Sequence, residues 1–344
     1  MKNIPKYSSS DLENLIVSFD KYKMLFSEEN YKTFEETISR TNYENLKEVN
    51  LDLLVWIHFQ NQKKPLNLSF FEHKLFEYVI KKISEKQFNF NTGCAATINY
   101  FLTVSQSTNY TELLVKTLAE SKDFEQFLYC SKNFQESDLS LVEGTTGILL
   151  LLLNLLENTK NNSRIVQYGS VFERIFHQAI QCLLIHILPV SEHQQTATFF
   201  PDYVKIENQE TVYVVENTLS WAKGDLPKIY LLYKAGHYFQ KQAWINLADN
   251  MGEYISGLAF EENLDISVAE GTAGGALIYG KLFELTNKPI YQEAHQFYLY
   301  ETLKNMKTHK PNLTKNLLFN YLGAYLTVQS SITQDFEWAK LLLL

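Results

Sequence analysis

The chain has 344 residues, 45% of them hydrophobic, which is enough to bury one large core or two smaller ones. Its net charge of −8 and its three arginines, Arg40, Arg164 and Arg174, argue against a surface that tracks phosphates. Nucleic acid is therefore not an expected partner, and a cationic ligand or basic peptide suits the charge better.

The three cysteines, Cys94, Cys130 and Cys182, are an odd number without close pairing, which fits a reducing cytoplasm rather than a disulfide framework. Met1 to Pro5 leads into polar residues, with no apolar stretch of signal-peptide length. The longest apolar runs, Ile148 to Leu156 and Ala179 to Val190, are too short to span a bilayer. The expectation is a soluble, cytoplasmic protein with no membrane span.

In chain order, residues 1–45 read as an N-terminal helical extension, with Ser8-Ser9-Ser10-Asp11 as a helix N-cap region, and 46–344 as the main domain. Helical spacing then dominates, with apolar residues three and four apart in Leu113, Leu114, Val115, Leu118 and in Phe124, Phe127, Leu128. Thr211-Val212-Tyr213-Val214-Val215 is the main alternating stretch, so the fold is predicted to be all-α with one short strand or extended loop.

Two near-copies of one phrase organise this pattern. Val142-Glu143-Gly144-Thr145-Thr146-Gly147 and Ala269-Glu270-Gly271-Thr272-Ala273-Gly274 lie 127 positions apart, and each opens an apolar run. A Gly-x-x-Gly turn has two places free of Cβ, so it can turn tightly and lie close to a neighbouring turn. Weaker copies surround Gly93, Gly224 and Gly323, and the five markers are separated by 51, 80, 47 and 52 residues. A period near 50 accommodates two helices and two loops, so the unit is an α-hairpin, stacked into a solenoid or a closed ring. The interval of 80 marks an irregular place.

Ser220-Trp221-Ala222-Lys223-Gly224-Asp225, then Leu232-Tyr233-Lys234-Ala235-Gly236, then Val268-Ala269-Glu270-Gly271-Thr272-Ala273-Gly274 follow one another in an order that resembles the lanthionine synthetase C-like cyclases. The closing stretch, Asp335 to Leu344, is similar to that family's customary ending. The resemblance implies an α/α toroid of helical hairpins, with its glycine-rich turns gathered at one end. It also implies a place in the modification of ribosomal peptides of the lanthipeptide type. In the family the first motif reads Trp-Cys-x-Gly and the second Cys-His-Gly-x-x-Gly, and these Cys, Cys and His bind a catalytic zinc with one position open for a peptide thiolate.

Here those positions are Ala222, Ala269 and Glu270. Two alanines supply no ligand, so no cofactor is expected and the family's zinc is not expected. The family's arginine before the first zinc cysteine falls on Thr218, and an acidic position before Gly144 falls on Ser140, with Asp138 close by. No Ala-His-Gly turn occurs between residues 144 and 224. The long interval there suggests a lost or eroded hairpin, leaving about six recognisable hairpins rather than the family's seven.

Each remaining candidate has a structural reading beside the functional one. His177, Cys182, His186 and His193 cluster in sequence, and Cys182 and His186 share a helical face, but core packing accounts for such residues without a metal. Glu270, beside Lys223 and Asp225, could bind a cationic peptide group or transfer protons. As a structural group, it and Glu143 would favour the positive end of the following helix. Trp221 reads as a packing anchor or a peptide-stacking surface. No nucleophile-elbow or phosphate-loop motif is present, while Glu143, Asp225 and Glu270 could in principle pair as in α/α-toroid glycoside hydrolases.

Two functions of different class follow. One is a zinc-free accessory or pseudo-cyclase that binds a precursor peptide or a dehydratase-type partner enzyme at an acidic mouth, through Trp221, Lys223, Asp225, Glu143 and Glu270. The other is an active cyclase forming thioether rings without the usual zinc, with Glu270 as its catalytic group.

Overall fold

The computed structural model describes residues 51, 54, 55, 57, 58, 68–91, 93–105, 107–127, 136–189, 198–215, 219–257, 265–306, 321–333 and 335–344. The expected N-terminal extension, residues 1–45, lies outside them. Two kinds of helix alternate along the chain. One kind is largely buried: α2 (Ala95–Thr103), α5 (Thr145–Asn161), α7 (Leu226–Phe239) and α9 (Thr272–Thr286), each of which opens behind a turn that carries a glycine, and α11 (Tyr321–Thr333). In α5 every residue from Thr146 to Leu156 is buried, and in α9 every residue from Thr272 to Gly280. Burial on all sides is the mark of a helix enclosed by other elements.

The second kind follows the first four of these and buries one face: α3 (Thr108–Glu120), α6 (Gly169–Leu184), α8 (Gln242–Ser256) and α10 (Pro289–Met306). In α6 the buried residues are Phe172, Ile175, Phe176, Ala179, Ile180 and Leu183, a stripe three and four apart that faces α5. The pairs α2–α3, α5–α6, α7–α8 and α9–α10 are α-hairpins, each with an inner and an outer helix. Two further helices are α1 (Ser69–Ser84) and the short α4 (Lys122–Phe127), and the described residues 51, 54, 55, 57 and 58 are helical as well.

The inner helices form a circuit. α2 packs on α5, α5 on α7, α7 on α9 and α9 on α11. A 3₁₀ segment, Glu337–Leu342, follows α11, is tied to it by Trp338 Nε1 donating to Ser330 Oγ at 2.7 Å, and packs back on α2. The inner-helix contacts thus run from α2 to α11, and this closing segment touches both ends of the series.

One expectation is corrected. The chain is not helical apart from a single strand: β1 (Glu136–Asp138), β2 (Tyr203–Glu207) and β3 (Glu210–Val214) form a small antiparallel sheet in the order β1-β2-β3. The register sets Asp138 opposite Tyr203 and Tyr203 opposite Val214. The expected alternating strand is β3, joined to β2 through Asn208 and Gln209, both with positive φ. This hairpin also accounts for the irregular interval between Gly144 and Gly224, which holds the α5–α6 hairpin and then β2–β3. β1 runs straight into the turn before α5, so the sheet is attached to the end of the ring where the glycine-rich turns gather.

Candidate functional site at the mouth of the ring

Four turns precede inner helices and are stitched together by their backbones. Phe90 N–H and Asn91 N–H both donate to Val142 C=O, at 3.0 and 3.1 Å. Leu141 N–H donates to Ala222 C=O at 2.9 Å, and Ala222 N–H donates to Ala269 C=O at 2.9 Å. The expected convergence of the turns at one end is thus direct contact. The positions that the resemblance gives to zinc ligands, Ala222, Ala269 and Glu270, lie in the last two turns of this series.

The two Glu-Gly-Thr turns are built alike. Asp138 Oδ1 accepts from Ser140 N–H at 2.7 Å, and Asp265 Oδ1 from Ser267 N–H at 2.7 Å. Ser140 Oγ accepts from Glu143 N–H at 3.2 Å, and Ser267 Oγ from Glu270 N–H at 3.1 Å. These are local turns made by short polar side chains. The second glycine of each phrase is fixed by space: a Cβ on Gly147 would lie 1.9 Å from Leu141 O, and one on Gly274 1.9 Å from Val268 O.

The Glu side chains take no part in these bonds. Glu143 Oε1 accepts from Asn91 Nδ2 at 2.9 Å, and Glu270 Oε1 lies 3.7 Å from Lys223 Nζ. Each carboxylate therefore reaches a side chain of the preceding turn in the series. With the side chains of Lys223 and Glu270 26% and 57% exposed, the pair stands on the open rim.

Asp225 and Trp221 do not stand there, which corrects their expected role as accessible peptide-binding groups. Asp225 is fully buried beneath the rim: Oδ2 accepts from Thr198 Oγ1 at 2.7 Å and Phe199 N–H at 2.8 Å, and Oδ1 from Phe200 N–H at 3.0 Å. Its neighbour Lys228 is also fully buried and donates to Gly224 C=O at 2.7 Å, while Gly224 N–H donates to Asp202 Oδ1 at 3.2 Å. Burial pushes the Asp225 carboxyl up and the Lys228 amine down. The three donors on Asp225, and the Asp225, Asp202 and Asp138 carboxylates around Lys228, oppose both shifts. Trp221 is likewise buried, its ring 6.0 Å edge-on from Phe90 and its Nε1 donating to Leu342 C=O at 3.1 Å.

Asp225 so enclosed cannot reach a sugar with Glu143 or Glu270, which removes it from the paired-carboxylate arrangement of a glycoside hydrolase. The reasoning from sequence passed over Lys228, Asp202 and Asn91. Lys228 had a signal: it is the one charge in the apolar run Leu226 to Leu232.

The alternative cluster is dispersed by packing. His177 lies against Phe239 and Trp244, with ring centroids 4.6 and 5.9 Å away, and its Nε2 is 3.9 Å from Glu173. His186 lies edge-on to Tyr213 at 6.1 Å, Cys182 is half-buried and in no disulfide, and His193 falls outside the described residues. Among the described residues no three His, Cys, Asp or Glu side chains are grouped as metal ligands. At the family's zinc positions, Ala222 and Ala269 carry no donor atom and the Glu270 carboxylate faces Lys223, so this donor set does not fit a zinc ion. No described helix is long and apolar enough to cross a membrane.

Comparison with known proteins agrees with this geometry. A search of curated proteins by sequence gives no match. Among solved structures the chain is similar to nisin cyclase, with a TM-score of 0.71 and 11% identity over 96% of this chain and 89% of that one. The family model described as lanthionine synthetase C-like protein matches residues 52–318. With a toroid of inner and outer helices and glycine-rich turns meeting at its mouth, the chain belongs to the lanthionine synthetase C-like family.

Proposed function

We propose that this protein is a zinc-free accessory member of a lanthipeptide-type pathway, one that binds a precursor peptide or a dehydratase-type partner enzyme at the mouth of the ring. The observation that carries this reading is the Lys223–Glu270 pair at the family's zinc site, beside two alanines. A cyclase needs a group that makes a cysteine thiolate and one that delivers a proton. Ala222 and Ala269 can do neither, and a carboxylate held by a lysine amine on an open rim is a binding group for cations. The nisin cyclase likeness gives ring formation as the activity from which this chain departs.

The test is to incubate the protein with a dehydrated, cysteine-containing precursor peptide. Saturable binding with no loss of free thiol is expected, and metal analysis is expected to find no stoichiometric zinc. Turnover of thiol at sub-stoichiometric protein would establish the alternative, a cyclase working through Glu270 without zinc. One tightly held zinc per chain would overturn the zinc-free reading.

A further inference from the structure

The segment 335–344 lies beyond the residues matched by the family model, and its apolar side is enclosed while Asp335, Glu337 and Lys340 are exposed. Ala339, Leu341 and Leu342 are 0% exposed, Leu343 is 1% and Leu344 is 5%. Its contacts come from different sectors of the ring. Phe336 sits under Lys281 of α9, with Nζ 5.8 Å from the ring centroid. Trp338 is bonded to Ser330 of α11. Lys340 C=O and Leu341 C=O both accept from Asn99 Nδ2 of α2, at 2.7 and 3.2 Å. Leu342 C=O accepts from Trp221, in the turn before α7.

These contacts also lie at different depths. Lys281 and Ser330 are far along α9 and α11, Asn99 is midway along α2, and Trp221 is in a mouth turn. The segment therefore travels from the far end of the ring toward the mouth. At about 2.0 Å per residue its 3₁₀ turns advance about 12 Å, against about 22 Å for the 15 residues of α9. A strand of chain that touches α2, α9, α11 and the turn before α7, at successive depths, faces the lumen side of several inner helices. A polar relay fixes it there: Lys234 Nζ of α7 donates to Asn154 Oδ1 of α5 at 2.8 Å, and Asn154 Nδ2 donates to Asn99 Oδ1 at 2.9 Å.

We propose that residues 335–344 form an axial plug that closes the lumen of the toroid, and that Trp221 is a positioning residue through which the plug sets the turn carrying Ala222 and Lys223. Whatever binds the mouth meets it from the open face and does not thread through the ring. This stands apart from the peptide-binding proposal, because the plug would close the lumen of an active cyclase in the same way.

Maleimide labelling of Leu342→Cys, followed by peptide mapping, tests the plug against Ile332→Cys, whose site is 42% exposed. In the folded protein the thiol at 342 is expected to react about 100-fold more slowly than that at 332, since it must wait for local opening. Comparable rates would overturn the plug. If Leu342→Cys does not fold, hydrogen exchange of the unsubstituted chain decides: amides 339–344 are expected to be protected like those of α9, and free exchange there would overturn it. Trp221→Phe keeps the ring and removes the donor. It is expected to speed exchange in both 337–344 and 219–225 about tenfold, with α8 and α10 unchanged. Exchange unaltered in either segment would overturn the positioning role.

Discussion

The two Glu-Gly-Thr turns and the turn between them in the mouth series, Leu219 to Asp225, reach the same backbone ladder by different means. The two copies are self-contained: an aspartate, a serine and a closely packed glycine hold each one. The middle turn keeps the serine, with Ser220 Oγ accepting from Lys223 N–H at 3.2 Å, but takes the rest from elsewhere. Asp202, just before β2, and Lys228, one helical turn into α7, clamp Gly224 from its two sides, and Gly224 adopts a φ of 79°. That left-handed conformation needs glycine, whereas Gly144 and Gly271 are extended, with φ of −117° and −108°. Of the two turns that stand at zinc-cysteine positions by resemblance, the one with Ala222 is thus supported by buried charges and by the sheet, and the one with Ala269 by its own side chains.

The contrast breaks first at Lys228. Lys228→Met would leave the buried Asp225 and Asp202 carboxylates without their cation, and the loss is expected to be about 3–5 kcal/mol in urea unfolding. The double variant with Asp225→Asn should recover part of that loss, since the two charges balance one another. A loss below about 1 kcal/mol would mean that the middle turn stands without its borrowed support.

The copies are tested by their glycines. Gly147→Ala and Gly274→Ala each drive a Cβ into a backbone carbonyl, and each is expected to cost about 3 kcal/mol or somewhat more. Thermal unfolding of the pair should give equal losses. A difference above about 1 kcal/mol would show that the two turns, alike in their aspartate and serine bonds, are not equivalent in stability.

Alkaline titration asks whether the wall gives way independently of the turns. Tyr291 of α10 is buried and its hydroxyl lies 2.9 Å from that of Tyr233, which in turn is bonded to Asp249. Burial is the main cause that pushes the Tyr291 phenol from 10.0 to about 12. Below pH 10 the phenol is protonated in both folded and unfolded chains. Between pH 10 and 12 only the unfolded chain releases the proton, so stability falls by up to about 3 kcal/mol across that window. Tyr291→Phe should flatten this part of the stability curve; an unchanged slope would place the alkaline weakness elsewhere.

The repeat was legible because glycine close to backbone is a local requirement, written as Gly-Thr-x-Gly in the turns before α5 and α9. The alternation of inner and outer helices was legible for the same reason: the run from Ile148 to Leu156 is too uniformly apolar for an exposed helix. The sheet was half legible. β3 alternates, but β2 reads Tyr-Val-Lys-Ile-Glu and β1 only Glu-Ser-Asp, and such short strands are specified by their pairing partners rather than by their own pattern. The site was least legible where burial decides. Asp225 and Lys223 are two residues apart and look alike as rim candidates, yet one is enclosed by Thr198, Phe199 and Phe200 from a distant segment, and the other stands open. No periodicity encodes that difference.

The finest comparison is between the two rim carboxylates, which hold equivalent places in equivalent turns and differ in the residue facing them. Glu143→Gln keeps an acceptor for Asn91, and Glu270→Gln loses only an exposed ion pair, so neither should change stability by more than about 0.5 kcal/mol. Binding should separate them. Glu270, 57% exposed, presents its carboxylate at the rim beside Lys223, so Glu270→Gln is expected to weaken affinity for a basic precursor peptide several-fold at low salt and much less at high salt. Glu143→Gln should weaken it less, because the Asn91 amide stays bonded to that side chain whether it is charged or neutral. Titration calorimetry at two ionic strengths reads both variants, and equal effects would mean that a peptide meets the rim as a diffuse acidic surface instead of at the former zinc position.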